Sequence, residues 1–123
     1  MNRRLIKELK MPDFLTLSDR YLTYIGETLD DLGSEMPDFD CDYHSGILKF
    51  NIRDYRYVLN RMPPNKQIWW SSPLSGPLRF DFDGKVWFNK QNILLSNILC
   101  KEWNELTKQR VDVSKFIEDN LNK

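Results

Sequence analysis

The chain has 123 residues, a formal net charge of zero and two cysteines, Cys41 and Cys100. This length favours one domain that buries its core without disulfides. The two cysteines are too few for a disulfide framework, their spacing matches no metal site, and no apolar run is long enough to cross a bilayer. The composition therefore excludes a disulfide scaffold and a helical membrane protein, and it favours a reducing compartment.

The charges are unevenly distributed along the chain. Residues 11–43 contain nine acids and one base, whereas residues 44–80 contain six bases and one acid. Such an asymmetry predicts a dipolar surface that steers charged partners or ions.

Residues 1–11 form a short basic segment before the first predicted helix. Its basic and aliphatic side chains are Arg3, Arg4, Lys7 and Lys10 around Leu5, Ile6 and Leu9. An arginine-rich segment is typical of an organelle-targeting presequence, although Glu8 and the absence of serine argue for the alternative, a frayed basic terminus. We expect residues 1–11 to be an N-terminal extension and residues 12–123 to be a single domain.

A helix is predicted from Pro12 to about Gly33. Its apolar residues recur every three or four positions and form one stripe: Phe14, Leu17, Tyr21, Ile25, Leu29 and Leu32. Acids lie along another side of this helix, and three more alternate with apolar residues in a first strand. Aspartates on one side of a strand repel one another, so they lower stability unless cations screen them.

Five more strands follow at hairpin spacing. Alternation of period two predicts strands at residues 48–53, 55–60, 67–72 and 79–82, and the Asp83-Gly84 turn leads into a short strand at 86–88. The alternation makes one sheet face apolar. The other face carries Asn60, Gln67, Trp69 and Arg79. A Trp among amides and a guanidinium is typical of a protein-binding surface.

A second helix is predicted from about Asn92. Its apolar stripe consists of Leu95, Ile98, Leu99, Trp103 and Leu106, with Glu102 and Glu105 on the outer side. In the tail, we expect Val113, Phe116 and Ile117 to pack back on the helices.

Two helices with one apolar stripe each can cover one face of an antiparallel sheet. The expected fold class is therefore α+β, a two-layer α-β sandwich in which two helices pack on one face of an antiparallel sheet of about six strands. The other face, which we call the open face, must meet solvent or a partner.

Most catalytic chemistries find no support in the sequence. The single histidine, His44, falls in a predicted turn, no Gly-x-Ser-x-Gly elbow is present, and the glycines form no phosphate-binding loop. Single-stranded nucleic acid binding is disfavoured because the net charge is zero and only one Trp faces outward to stack on bases.

The acids of the first helix and first strand form a group with almost no bases between them. We call this group the acidic ridge; its members are Asp19, Glu27, Asp30, Asp31, Glu35, Asp38 and Asp40. Carboxylates without histidine or thiolate suit hard or borderline cations such as Fe²⁺, Mn²⁺ or Ca²⁺. Exposed ligands make shallow sites, so we expect weak and poorly selective binding; the alternative is a solvated helix face.

The chain resembles the frataxin family, specifically the eukaryotic type, from about Phe14 to Phe116. The motifs that carry the resemblance are residues 57–60 (YVLN), 64–69 (PNKQIW), 71–73 (SSP), 75–77 (SGP) and 79–81 (RFD). The acidic stretch 38–46 before a Ser-Gly turn also fits the family pattern. Trp70 departs from it, because the family commonly has an aliphatic residue there, and an inward Trp demands repacking of the core.

The resemblance implies a function in iron–sulfur cluster assembly, in the mitochondrial matrix or a mitosome. The expected partners are cysteine desulfurase and the iron–sulfur scaffold protein, with stimulation of sulfur transfer to the scaffold. The partner-binding residues implied are Asn60, Asn65, Lys66, Gln67, Trp69 and Arg79. Weak Fe²⁺ binding is implied on the acidic ridge, with no organic cofactor and no catalytic residue.

Two further expectations complete this interpretation. The chain is expected to act as a monomer that binds neither nucleic acid nor membrane, with an iron-induced oligomer as the alternative. The rival function is that of an iron chaperone or ferroxidase, in which the carboxylates hold Fe²⁺ for oxidation by O₂, storage or delivery. That function needs a tight site or an oligomer, and the sequence shows no dedicated ligands.

Overall fold

The computed structural model describes residues 4–112 and Phe116. It contains one helix, six strands and a second helix, in the predicted order. The elements are α1 (Met11–Leu32), β1 (Phe39–His44), β2 (Ile47–Ile52), β3 (Tyr55–Met62), β4 (Gln67–Ser72), β5 (Gly76–Phe82), β6 (Trp87–Phe88) and α2 (Leu95–Thr107), with one 3-10 turn at Pro63–Asn65 between β3 and β4.

The six strands form one antiparallel sheet in which each strand pairs with its neighbour in sequence. Short hairpins make this order possible, because antiparallel strands need only a tight turn between them. The register places Trp69 opposite Asn60 on β3 and opposite Arg79 on β5. The pairing therefore brings three predicted site residues onto adjacent strands.

Both helices lie on the same side of the sheet, and the core fills the space between the two layers. Phe14 and Tyr21 of α1 contact the ring of Trp87 on β6, and Trp103 of α2 contacts Phe39 on β1. The two-layer α-β sandwich predicted from the apolar stripes is confirmed. In the described part of the chain, no helix is both long and apolar enough to span a membrane.

The segment before α1 packs along the end of β5. The backbone N–H of Lys7 donates to the carbonyl of Phe82 at 2.7 Å, Arg4 forms a 2.9 Å salt bridge with Asp83, and Leu9 is buried in the core. Burial alone would raise the pKa of Asp83, but its two backbone N–H bonds and Arg4 outweigh that effect and lower the pKa. Residues 4–10 are thus held by specific contacts, whereas the predicted domain boundary after residue 11 stays a prediction.

The structure corrects one assignment in α2. Glu102 was expected on the outer side of the helix, but only 4% of its surface is exposed, and its carboxylate lies against Tyr57 and Ser72 of the sheet. The prediction was wrong because two hydroxyl groups on the covered face of the sheet donate hydrogen bonds to a carboxylate that periodicity alone assigns to solvent.

Trp70 and the tail follow the predicted arrangement where the structure describes them. Trp70 points inward and makes edge contacts with Tyr57 and Phe80, which shows how the core accommodates the larger ring. Phe116 is buried in the core. Val113 and Ile117, which were also expected to pack on the helices, lie outside the described residues.

Candidate functional site

The open face is centred on Trp69, in the middle of the sheet. Its side chain is only partly buried, although its neighbours Ile68 and Trp70 on the same strand are fully covered by the helices. Asn60 and Arg79 flank Trp69 on the two adjacent strands. With Gln67, which contacts the indole N–H, the structure therefore brings together four of the six predicted partner-binding residues at one indole ring.

Two direct contacts, and a further hydrogen bond behind one of them, fix the orientation of the Trp69 ring. The guanidinium carbon of Arg79 lies 4.3 Å from the ring centroid, a cation–π distance. The indole Nε1–H donates to Oε1 of Gln67 at 2.9 Å, and Nε2 of Gln67 in turn donates to Oδ1 of Asp81 at 3.0 Å. Because both ends of the Gln67 amide are engaged within the protein, Gln67 holds Trp69 in place.

A cleft of about 320 Å³ lies beside this ring. Residues from β3, β4 and β5 line it, among them Val58, Asn60, Trp69, Pro77 and Arg79. Its floor is mostly apolar, and the Asn60 amide, which makes only a 3.5 Å contact with the Met62 sulfur, lies at its border. An apolar cleft with a few polar groups at its edge can receive a side chain from a partner.

The remaining two predicted partner-binding residues lie away from the Trp69 ring. Asn65 is exposed at the end of the 3-10 turn. Lys66, in the left-handed conformation with φ 52°, donates its ammonium group to the carbonyl of Leu9 at 2.5 Å. Lys66 thus ties the segment before α1 to the sheet, which is a role that its sequence position does not reveal.

The acidic ridge runs along α1 and the edge strand β1, but its members do not share one surface. Glu27 and Asp30 border a cleft of about 170 Å³ between α1 and β1, together with Cys41 and Tyr43. Asp40 alternates with Cys41 along β1 and so lies on the opposite side of the strand from that cleft.

The ridge forms no metal cage in the part of the chain that the structure describes. Among residues 4–112 and Phe116, no three His, Cys, Asp or Glu side chains converge closely enough to hold a metal ion. All seven members of the ridge are exposed: Asp19, Glu27, Asp30, Asp31, Glu35, Asp38 and Asp40. Their spread along the helix and strand offers separate carboxylates to a cation, so any binding there is shallow.

Two side chains beneath the ridge remain protonated at neutral pH. Burial, reinforced by the charges of Asp30, Asp40 and Asp42, raises the pKa of the Cys41 thiol to about 12. Burial and a hydrogen bond donated to Asp19 raise the pKa of Tyr43 to about 12 as well. A thiol with such a pKa is a poor metal ligand, so carboxylate oxygens remain the donors that the ridge offers.

Comparison with known proteins agrees with this geometry. The family model described as a Frataxin-like domain matches residues 7–109. The chain belongs to the frataxin family.

Two curated frataxins show the extent of the similarity. The mitochondrial frataxin homolog of Saccharomyces cerevisiae is 39% identical over 89 residues, which cover 69% of this chain and 51% of that protein. The mitochondrial frataxin of Caenorhabditis elegans is 32% identical over 113 residues, 85% of this chain and 83% of that protein. The chain thus spans about half the length of the yeast relative. The relatives' names bear out the expected mitochondrial localisation, while the matrix or a mitosome as the compartment stays a prediction.

Solved frataxin structures share the fold. A trimeric frataxin from Saccharomyces cerevisiae, complexed with ferrous iron, is 34% identical and superposes with a TM-score of 0.68 over 85% of this chain and 92% of that one. A frataxin from Psychromonas ingrahamii superposes with a TM-score of 0.73 over 85% of this chain and 98% of that one. At 20% identity the latter match shows the fold alone.

One residue of the site, Asp81, and one residue behind the sheet, Glu102, are not predicted by the sequence patterns. Asp81 is 9% exposed on the open face and orients Gln67, and Glu102 bonds the sheet from α2. The alternation in β5 already places Asp81 on the same face as Arg79, but nothing in the sequence shows that its carboxylate is buried and bonded.

The two consecutive hydrogen bonds that link Asp81 to Trp69 through Gln67 can be tested by mutation. In Asp81→Ala the Gln67 amide loses its acceptor, so the indole proton of Trp69 should exchange with water roughly tenfold faster, as expected for the loss of one hydrogen bond to a charged group. The measurement is solvent exchange at the Trp69 indole resonance, which is assigned by its absence in Trp69→Phe. Asp81→Asn keeps an oxygen acceptor and should stay near the wild-type rate. An unchanged rate in Asp81→Ala would show that Asp81 does not orient the ring.

Proposed function

We propose that this frataxin is an iron–sulfur cluster assembly factor that binds the complex of cysteine desulfurase and scaffold protein through its open face and stimulates sulfur transfer. The observation that carries the proposal is the Trp69 ring, held in one orientation on a sheet face that neither described helix covers. An immobilised aromatic residue loses little conformational entropy on binding, which is what a protein–protein hot spot requires.

Each open-face residue has a separate role in this proposal. Trp69 and the adjacent cleft supply the apolar contact, and Asn60 supplies an amide to a polar group of the partner. The Arg79 guanidinium already stacks on Trp69, and its N–H groups suit an acidic group of the partner. Gln67 acts through Trp69. The chain contributes no catalytic residue in this role, so its effect on sulfur transfer is that of a non-enzymatic activator.

The acidic ridge has two proposed roles, of which the first is electrostatic. Its carboxylates lie on α1, on β1 and on the segment that joins them, while the bases of residues 44–80 lie on the later strands and turns. The resulting dipole suits contact between the ridge and a basic surface of the desulfurase, and it speeds the encounter.

The second proposed role of the ridge is weak Fe²⁺ binding. The yeast structure complexed with ferrous iron supports it, because that protein is 34% identical to this chain. The spread carboxylates described above favour transient binding over storage. A ferroxidase or iron-chaperone function, with an iron-induced oligomer, stays an alternative prediction.

The proposed role of the open face in partner binding is tested by removal of the Trp69 side chain. Trp69→Ala removes the apolar anchor, so it should weaken binding to the purified desulfurase–scaffold complex by at least about thirtyfold and abolish stimulation of sulfide production, as expected for a hot spot. Binding is measured by calorimetry, and circular dichroism checks the fold.

Arg56→Ala is the matched control, since Arg56 is exposed on the same strand as Asn60 but away from Trp69. It should bind and stimulate like the wild type. Full stimulation by Trp69→Ala would exclude the open face as the site of action.

Removal of ridge charges tests the iron proposal. The double variant Asp30→Ala/Asp31→Ala should weaken Fe²⁺ binding by roughly tenfold, because it removes two exposed carboxylates whose contacts with a cation are each worth up to about 1 kcal/mol. Anaerobic titration with Fe²⁺ measures binding, and oxygen consumption measures oxidation.

The control Asp54→Ala/Glu105→Ala removes two exposed acids outside the ridge and should bind iron like the wild type. If Asp30→Ala/Asp31→Ala binds and oxidises iron at wild-type levels, the ridge has no part in iron handling.

A further inference from the structure

Glu102 forms a polar connection through the core, between α2 and the sheet. Its Oε1 accepts a hydrogen bond from the hydroxyl of Tyr57 on β3 at 2.7 Å and another from the hydroxyl of Ser72 at the end of β4 at 2.5 Å. The residue is 4% exposed, and in the described part of the chain no lysine or arginine lies within salt-bridge distance of it.

The Ser72 hydroxyl extends this connection into the turn between β4 and β5. While its O–H donates to Glu102, its oxygen accepts the backbone N–H groups of Leu74 at 2.9 Å and Ser75 at 3.1 Å. A serine hydroxyl has one donor and two acceptor positions, and all three are occupied here. Glu102 therefore determines which way the hydroxyl points, and so which oxygen lone pairs face the turn.

A second bond ties the same turn to the core. The indole Nε1–H of Trp70 donates to the hydroxyl oxygen of Ser75 at 2.9 Å. Turn 73–75 is thus bonded at two points, from α2 through Ser72 and from the sheet through Trp70. The turn joins the two strands that carry Trp69 and Arg79 on their other face.

Stability alone is a poor explanation for this carboxylate. Taking a charge out of water without a cationic partner costs free energy, which hydrogen bonds from two hydroxyls only partly offset. Hydrogen bonds to a charged acceptor are, however, short and directional, so they fix geometry well. What Glu102 provides is a defined position for the hairpin.

We propose that Glu102 is a positioning residue that holds turn 73–75 against α2 through Ser72, and that this latch keeps Trp69 and Arg79 in register for the partner. The part that concerns the partner rests on the function proposed above. The latch itself is a property of the isolated chain and is tested separately from it.

The experiment compares loss of the Glu102 carboxylate with loss of the Tyr57 hydroxyl, which bonds the same carboxylate from the other side of the connection to the turn. Glu102→Ala should accelerate amide hydrogen exchange at Leu74 and Ser75 by about tenfold and weaken binding to the desulfurase–scaffold complex by about tenfold, since it removes a charge-assisted hydrogen bond. Tyr57→Phe removes the other bond to Glu102 and leaves in place the bonds from Ser72 to Glu102 and to the turn. It should change turn exchange and affinity by less than about twofold, whatever it does to overall stability.

Three more variants complete the design. Glu102→Gln keeps an oxygen that accepts both hydroxyls and should restore slow exchange and tight binding. Glu105→Ala changes an exposed glutamate of the same helix and should have no effect. If Glu102→Ala does not fold, Ser72→Ala cuts the same connection while Glu102 keeps its bond from Tyr57, and it should weaken binding by a similar factor.

The outcomes separate the latch from the proposed function. Unchanged turn exchange in Glu102→Ala, or equal acceleration in Tyr57→Phe, would overturn the latch. Faster turn exchange in Glu102→Ala with wild-type affinity for the complex would overturn its role in presenting Trp69 and Arg79. If the wild-type chain does not bind the complex, the proposed function fails, and exchange at Leu74 and Ser75 still decides whether the latch exists.

Discussion

In residues 4–112, two helices cover one face of a six-stranded sheet and leave the other face open, and the properties of this protein depend on that constraint. Alternation sends every second residue of each strand to the open face, where neither of these helices competes with a partner for contact. The aromatic residues on the covered face form the core. On the open face Trp69 is the aromatic side chain in the centre. Two hydrogen bonds and one cation–π contact, from Gln67, Asp81 and Arg79, hold it in place.

Much of this arrangement follows from sequence periods. The strands show a period of two, and the apolar residues of the helices recur every three or four positions. These patterns predict the element order, the fold class and the placement of Asn60, Trp69 and Arg79 on one face. Sequence periods do not predict which residues far apart in the chain form hydrogen bonds with each other. Glu102 was assigned to solvent because helical periodicity carries no information about hydroxyl groups on a sheet that lies 30 and 45 residues away. The engagement of Lys66 with the Leu9 carbonyl was hidden for the same reason.

The two surfaces of the molecule differ in kind. The open face is preorganised, since hydrogen bonds and stacking hold its central ring before any partner arrives. The acidic ridge is a set of separate exposed carboxylates on α1 and β1, which act at longer range and are screened by salt. We therefore expect the open face to determine the affinity and the effect on the partner. The ridge is expected to govern the rate of encounter and transient contact with cations.

Mapping the contact surface tests this account most directly. The isotopically labelled chain is titrated with the unlabelled desulfurase–scaffold complex, and the loss of nuclear magnetic resonance signal intensity is recorded residue by residue. If the open face is the contact surface, the Trp69 indole and the amides of Asn60 and Arg79 lose intensity first, while exposed positions of α2 such as Lys101 and Glu105 keep theirs. Formation of the complex with an unaffected Trp69 indole would contradict it.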